Sequence, residues 1–563
     1  MPSKRKAKRQ KVSDETDNFE IDEHDEHINV IVVPDSNDSD ESQCESDSEN
    51  DAIDEELLNS IFNEGNDIPQ NSYRTILDNY TPNQLKLEPD HVFELVDGEM
   101  KYDYQYKNET LLPLSVEKKI RSVSSTESFE YFFSKVLKEY IVEATRLNGC
   151  DITMTEFDTF LGIIILSIFT QRKSQRDYWS QNHLLRCEAI TEAMNRLEFE
   201  KIKSHLKLSK PEDENSNDRA WRVRGPLENF LKNVKQFGYF STALSIDEMM
   251  VKFRGKTDLR QFIPRKPVRY GIKMWALCSP EGYVFDCDIY CGKNSKRSFF
   301  GNEEKLDKCA LGSCVVLGLL QNLLSSVVPR NIVKYHLYFD NFFTSPDLLV
   351  HLKNVGLRAT GTVRANRMQE KSTISNKAVR GTFIAKHEKN SGVNYITVKD
   401  SKQVSILSTL AGVTPMSSVR RYSSEEKRKI DISFLNAITQ YNKFMGGVDL
   451  HDAHCSNLMS CIRSKKYTWV IWLQLIQASI TNATVLKNLV TKDKKIGIKD
   501  IGLGIAETYL KKSSAGKVKC HRIERVEKKY YCFNFSKCGA RTQRMCVKCN
   551  VYVCVSCLDA LHS

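Results

Sequence analysis

Long unbroken apolar runs are scarce in the sequence. Its longest nearly unbroken one, Phe160 to Phe169, is ten residues, about half of what a membrane span needs. The opening run MPSKRKAKRQK has no apolar segment of the kind a signal peptide carries. Membrane and secreted readings are set aside on these grounds. No internal repeat is visible, which argues against a solenoid or propeller. Charge of one sign is missing from two stretches. Residues 1–12 hold six Lys/Arg and no acid, whereas residues 13–58 hold nineteen Asp/Glu and no Lys/Arg. The remaining 59–563 then carry 76 basic and 53 acidic residues, a net +23 against +10 for the whole chain. A basic body behind an acidic tail suits a polyanion, most simply nucleic acid, although a generic basic surface reads the same way.

At 563 residues the chain is too long for one core and implies several structural units. Residues 1–118 read as a disordered basic and acidic tail, since blocks of like charge with few aromatics cannot offset chain entropy. Lys4-Arg5-Lys6 with Lys8-Arg9 and Lys11 fits a nuclear localisation signal, or else a nonspecific basic arm. Residues 119–242 read as helical. FEYFFSKVLKEYIVEATR repeats apolar residues every three or four positions, and Thr153 with Glu156 has capping-box spacing. From Ala243 the period changes. ALSIDEMMVKF, YGIKMWALCS, YVFDCDIYCG and YHLYFDNFF are strand-like, with a helix, LGLLQNLLSSV, before the last. This order implies a mixed α/β sheet with an antiparallel opening. VNYITVKDSKQVSILSTL reads as a separate hairpin within an inserted module, 368–435. Helix returns after it, and 485–531, with thirteen Lys/Arg against five acids, reads as a basic connector.

Three aspartates stand out by context. Asp247 lies within a strand and precedes Glu248. Asp340 closes the apolar run Tyr335–Phe339. Asp449 follows Met445-Gly446-Gly447-Val448, where two glycines permit close backbone approach. Buried carboxylates are costly without a partner, and hard cations such as Mg²⁺ supply one. Two such ions can clamp the attacking and leaving oxygens of a phosphodiester. By spacing alone, the three read equally as unrelated strand-end and turn aspartates.

IDEMM, YFDNFFTSPDLL, RATGTVRANR and YNKFMGGVDLHD, in that order, resemble the catalytic motifs of piggyBac-type DNA transposases. FIPRKPVRYGIKMWALCSPEGYVFDCDIYCGK and the helical entry before it are also similar, so the resemblance runs from about residue 120 to the end. It implies an RNase H-like DDE/D core, with residues 243–367 as its first part and 436–453 as its second. A bipartite helical dimerisation and DNA-binding domain, 119–242 and 454–520, would flank it. The matching catalytic positions are Asp247, Asp340 and Asp449, which would hold Mg²⁺ in a two-metal site with Asp452 nearby. Arg364 and Arg367 match positions that contact DNA beside the site. Asn341 would orient the strand end, contact DNA or simply make the turn. The family's activity would be cutting of double-stranded DNA at terminal inverted repeats by hydrolysis, a hairpin intermediate, and joining to TTAA targets. A homodimer in the nucleus is the expected form. A host-adopted copy serving as a nuclear DNA-binding protein is the alternative. Asp431-Ile432-Ser433 and Tyr467-Thr468-Trp469 depart from the family's usual text.

Seven cysteines and two histidines fall in the last 44 residues. Cys532-x5-Cys538, Cys546-x2-Cys549, Cys554-x2-Cys557 and His562 form a dense ligand series. With His521, for which Cys520 is an alternative, the series supplies eight ligands, enough for about two structural Zn²⁺ in interleaved sites. The module 521–563 would be a cross-brace zinc domain. Such modules recognise terminal-repeat DNA in the resembled family and bind histone tails or ubiquitin-conjugating enzymes elsewhere.

Overall fold

Apolar residues on both faces of a strand mark it as central, and the segment around Asp247 is of this kind. In the computed structural model, residues 93–100, 106–264, 266, 268–292, 310–327, 329–423, 426–491, 495–515, 523–547 and 549–558 are described. The basic patch, the acidic run, His521 and His562 lie outside them. The strands are β1 (Leu95–Asp97), β2 (Ala243–Lys252), β3 (Arg260–Phe262), β4 (Tyr270–Cys278), β5 (Val284–Ile289), β6 (His336–Phe339), β7 (Arg358–Thr362), β8 (Phe383–Glu388), β9 (Asn394–Lys399) and β10 (Gln403–Ser408). Among the described residues they form one ten-stranded sheet in the order β1-β8-β9-β10-β7-β6-β2-β4-β3, with β5 also paired to β4. β6 runs parallel to β2 and β7, and every other pairing is antiparallel. β2 is buried along nearly its whole length, as a strand covered on both faces must be.

The helices are α1 (Leu114–Ser122), α2 (Ser125–Glu130), α3 (Lys135–Leu147), α4 (Met154–Phe169), α5 (Glu188–Ala193), α6 (Arg196–His205), α7 (Trp221–Lys235), α8 (Leu311–Ser326), α9 (Pro346–Asn354), α10 (Asn436–Phe444), α11 (Gly447–Asn457), α12 (Tyr467–Val490) and α13 (Ile498–Ala515). α9 is the crossover that a parallel pair requires between β6 and β7. The capping box at Thr153 and Glu156 is present at the start of α4. α12 is long and apolar enough to cross a membrane by length and composition, but 94% of its apolar window is buried inside the protein. α13 packs along α4, and the contact is close: a Cβ on Gly162 would meet Tyr509 Cβ at 2.9 Å.

The structure departs from the sequence reading in four places. FEYFFSKVLKEYIVEATR holds two helices, because Ser134 accepts from Leu137 N and caps a new one. The hairpin of β9 and β10 is not separate: β10 pairs with β7 and extends the central sheet. The inserted segment 368–435 therefore continues the core, and only β11 (Ser417–Ser423) with β12 (Arg428–Phe434) stands off as a two-stranded ribbon. The stretch assigned to a disordered tail, 1–118, reaches too far: β1 pairs with β8, and Asn108 Oδ1 accepts from Ala243 N at 2.9 Å. Finally, the connector 485–531 contains α13.

Candidate active site and metal centres

The parallel pairing of β2 with β6 sets the site. Ile246 pairs with Phe339, so Asp247 and Asp340, each the next residue, project from the same face at the same level. β6 ends at Phe339, and the chain turns at once. Asp340 Oδ1 accepts from Phe342 N at 2.8 Å, and its carbonyl accepts from Thr344 Oγ1 at 2.9 Å. Asp247 Oδ1 accepts from Glu248 N at 2.7 Å.

Asp449 arrives from a different element. It lies in the first turn of α11, which begins at Gly447. A Cβ at Gly447 would collide with the Ser279 carbonyl oxygen and come within 2.6 Å of Ser245 Oγ, so only glycine lets α11 lie this close to β2 and β4. Asp452, three residues on and on the same helix face, accepts from Met250 N at 3.4 Å through Oδ2. His451, fully buried, donates from Nδ1 to Gly282 O at 2.8 Å. These contacts fix the rotation of α11 and hence the direction of both carboxylates.

The four carboxyls share one electrostatic environment. Burial raises the Asp247 pKa well above the usual carboxylate range; Lys266 opposes this, and Glu248, Asp340 and Asp449 add to it. Burial also raises Asp340, against the Phe342 hydrogen bond. Asp452 is pushed up to about 6, again chiefly by burial. The hydroxyl of buried Tyr441 is raised by burial first and then by Asp340, Asp247 and Asp449, so all three carboxylates lie near enough to act on it. Lys266 Nζ donates to Glu248 O at 3.2 Å and to Asp449 Oδ1 at 3.4 Å. A set of hard oxygen donors whose negative charge is offset chiefly by one lysine is chemically suited to a divalent cation.

Lys266 and Tyr441 escaped the sequence reading, and Glu248 was noted only as the neighbour of Asp247. Lys266 was visible only as one charge in FIPRKPVRYG. The two arginines divide. Arg364 is exposed and donates from Nε to Asn341 Oδ1 at 2.7 Å. Arg367 donates to Phe342 O at 2.9 Å and to Thr344 O. It braces the turn after Asp340.

The cysteines sort into two groups. The thiols of Cys532, Cys538, Cys554 and Cys557 all lie within 4.8 Å of one another, close to the edge of about 3.8 Å that Zn–S bonds of about 2.3 Å give a tetrahedron. Ser556 Oγ, 3.1 Å from Cys554 Sγ, holds that thiol down to about 6, whereas burial pushes the Cys557 thiol up to about 12. The first and third pairs thus group together, and Cys546 and Cys549 are not part of that group. The framework is a small sheet of β13 (Ile523–Tyr531), β14 (Arg541–Cys546) and β15 (Val551–Tyr552).

The family model described as Transposase IS4 matches residues 124–484. Over 352 residues the chain is 32% identical to human PiggyBac transposable element-derived protein 3, covering 61% of this chain and 57% of that one. The chain therefore spans little more than half the length of this relative. It is 25% identical over 419 residues to human PiggyBac transposable element-derived protein 2, covering 73% and 69%. The fold matches the cryo-EM structure of a piggyBac transposase synaptic complex with hairpin DNA. The TM-score is 0.58 at 19% identity, over 80% of this chain and 98% of that one.

Proposed function

The chain belongs to the Transposase IS4 family in its piggyBac-type form, and on that footing we propose that it is a metal-dependent DNA transposase acting on double-stranded DNA. The observation that carries this is the level pairing of Asp247 and Asp340 on adjacent parallel strands, with Asp449 delivered opposite them by α11. The sheet segment β5-β4-β2-β6-β7, antiparallel as far as β2 and parallel beyond it, supports an RNase H-like core.

Asp247, Asp340 and Asp449, with Asp452 beside them, would hold two Mg²⁺. Such ions, when bound, lower the pKa of water or of a 3′-hydroxyl and polarise the phosphodiester. The protein does the rest. Lys266 offsets carboxylate repulsion before loading. The turn braced by Arg367 keeps Asp340 aimed at the scissile phosphate. Arg364, held by Asn341, offers a guanidinium to the DNA backbone. Cutting at terminal inverted repeats, a hairpin intermediate and joining at TTAA complete the reading, with the protein acting as a homodimer in the nucleus. The zinc module, with the basic segment before it, selects the repeats. Nicking of repeat-bearing duplex in Mg²⁺ tests the site: loss with Asp340→Ala and retained binding is expected, and normal nicking would reject the assignment.

One observation favours a second reading. Both human relatives carry names marking them as derived from a transposable element, so the same machinery serves equally in a host-adopted nuclear protein. Paired inverted repeats between duplicated TTAA sites flanking the gene would decide for a mobile element.

A further inference from the structure

The face of the sheet opposite the carboxylates carries a cation enclosed by aromatic rings. Side chains alternate along β2, so Glu248 projects to the other face from Asp247. Across the β2–β4 pair, Glu248 lies opposite Trp275 and Met250 opposite Lys273. Lys273 is thus the diagonal neighbour of Glu248 on one face. Its Nζ donates to Glu248 Oε2 at 3.4 Å. The same Nζ sits 3.9 Å from the centre of the Trp275 ring, 5.2 Å from that of Phe342 and 5.9 Å from that of Tyr290. Only 14% of the Lys273 side chain is exposed. The Trp275 and Phe342 rings stack at 5.4 Å with 19° between their planes, and Phe343 meets Trp275 edge-on at 5.6 Å. An ammonium engaged by one carboxylate and three rings is not offered to a phosphate, so DNA contact does not account for this lysine.

Phe342 connects this layer to the site. Its backbone N–H is the donor that holds Asp340 Oδ1 at 2.8 Å. Its carbonyl accepts from Arg367 Nη2 at 2.9 Å. α8 passes close on the same side, where a Cβ on Gly312 would lie 2.5 Å from that carbonyl oxygen. These contacts hold the carbonyl end of the residue. The tilt of its N–H, and with it the aim of the Asp340 carboxylate, is left to the ring. A ring stacked on Trp275 and drawn by a cation has a narrow range of placements, because stacking and cation–π attraction are both directional.

Resting on the nuclease reading above, we propose that Lys273, held by Glu248 and Trp275, is a positioning residue for Asp340: the caged ammonium fixes the Phe342 ring, and the Phe342 amide fixes the carboxylate. Were the layer only packing, its loss would lower stability without acting through Asp340.

The test uses the full-length, zinc-loaded protein. Lys273→Met keeps most of the side-chain length and removes the charge. Mn²⁺ affinity is measured by calorimetry without DNA, and single-turnover nicking of repeat-bearing duplex is followed in Mg²⁺. Lys273→Met should weaken Mn²⁺ binding about tenfold and slow nicking about tenfold or more, with duplex affinity in Ca²⁺ unchanged. In an Asp340→Ala background, Lys273→Met should weaken Mn²⁺ binding no further, because the group it positions is gone. Phe342→Leu and Phe342→Trp serve as a second pair should Lys273→Met fail to fold: loss of the ring should reproduce the defect, and the larger ring should restore metal binding. Equal losses of Mn²⁺ affinity with and without Asp340, or wild-type affinity in both Lys273→Met and Phe342→Leu, would reduce the layer to packing and overturn the proposal. A wild type that binds Mn²⁺ but nicks no duplex would sink the nuclease reading, and the Mn²⁺ comparison would still decide the positioning role. A wild type that binds no Mn²⁺ would overturn both.

Discussion

The carboxylate site and the thiol site are built in opposite ways. The aspartates are spread from 247 to 452 along the chain and meet only because a large core brings them together. Their immediate neighbours Ile246, Phe339 and Val448 are fully buried. The thiols fall between 532 and 557, and the buried cluster of their module is Cys532, Val553, Cys554 and Cys557, three of its four members being candidate ligands. The first site is a product of hydrophobic packing and exists before any ion arrives. The second has little to hold it but the ion. On the reading proposed above, one would bind metal to do chemistry and the other to fold.

The sharpest way to break this contrast is chelation. Removing zinc should unfold the module, since structural sites contribute on the order of 10–16 kcal/mol in small zinc domains, while the central sheet keeps its thermal transition. Hydrogen exchange of β13–β15 against β2 and β4 reads both at once; equal protection in both after chelation would end the distinction. About two zinc ions per chain are expected by elemental analysis.

Replacing Asp247, Asp340 or Asp449 with Ala should lower nicking by about a thousandfold or more and leave the melting temperature nearly unchanged, because the packing around them stands without metal. A large drop in stability would show that metal supports this fold too. Gly447→Ala should lose nicking as well, but together with stability. Its methyl forces α11 away from Ser279, costing about 3 kcal/mol, and nicking is lost through displacement of Asp449.

A titration sharpens the point further. Asp452 holds its proton up to about 6 in the folded chain, mainly through burial, against about 3.9 when unfolded. The folded state therefore binds the extra proton between those values, and stability falls as pH rises from about 4 through 6. Asp452→Asn, which cannot ionise, should be more stable than the wild type by about 2–3 kcal/mol at pH 7–8 in metal-free buffer. The two should converge near pH 4. A constant difference across the range would mean that the carboxylate is not desolvated.

The smallest effects belong to the arginines, which were expected to act together. Arg364→Ala should reduce the slope of log affinity against log salt by about 0.9, one phosphate contact, without changing stability. Arg367→Ala should instead cost about 1–2 kcal/mol of stability through its lost bonds to the Phe342 and Thr344 carbonyls. Equal salt slopes for wild type and Arg364→Ala would remove that residue from the DNA surface.

Strands β2, β4, β5 and β6 were legible because apolar period is a local property, and so was the capping box at Thr153. The three aspartates were not legible from spacing. The motifs around them carried the assignment, since their meeting depends on the Ile246–Phe339 register and on a collision avoided at Gly447. Partner choice between strands is equally nonlocal. Nothing in VNYITVKDSKQVSILSTL says that β10 joins β7, or in LVD that β1 joins β8. α13 was hidden by its charge, since Lys499 and Lys511 are scattered through its apolar text. Lys266 carried no signal of its own, because a lysine among basic residues reads as surface until the carboxylates beside it are known.

The meeting of α4 with α13 has a consequence for how the chain is made. Lys138 Nζ lies 3.4 Å from Tyr509 Oη across 371 residues of sequence, and Gly162 touches Tyr509 itself. At about 5–20 residues per second on the ribosome, the side of α4 around Gly162 and Phe169, which meets Tyr509 and Gly502, waits about 20–70 seconds for its cover. Through that interval it is a surface for chaperones. Any shortened product ending before α13 keeps it exposed for good, so such fragments should aggregate even though every residue of the cutting site is present in them.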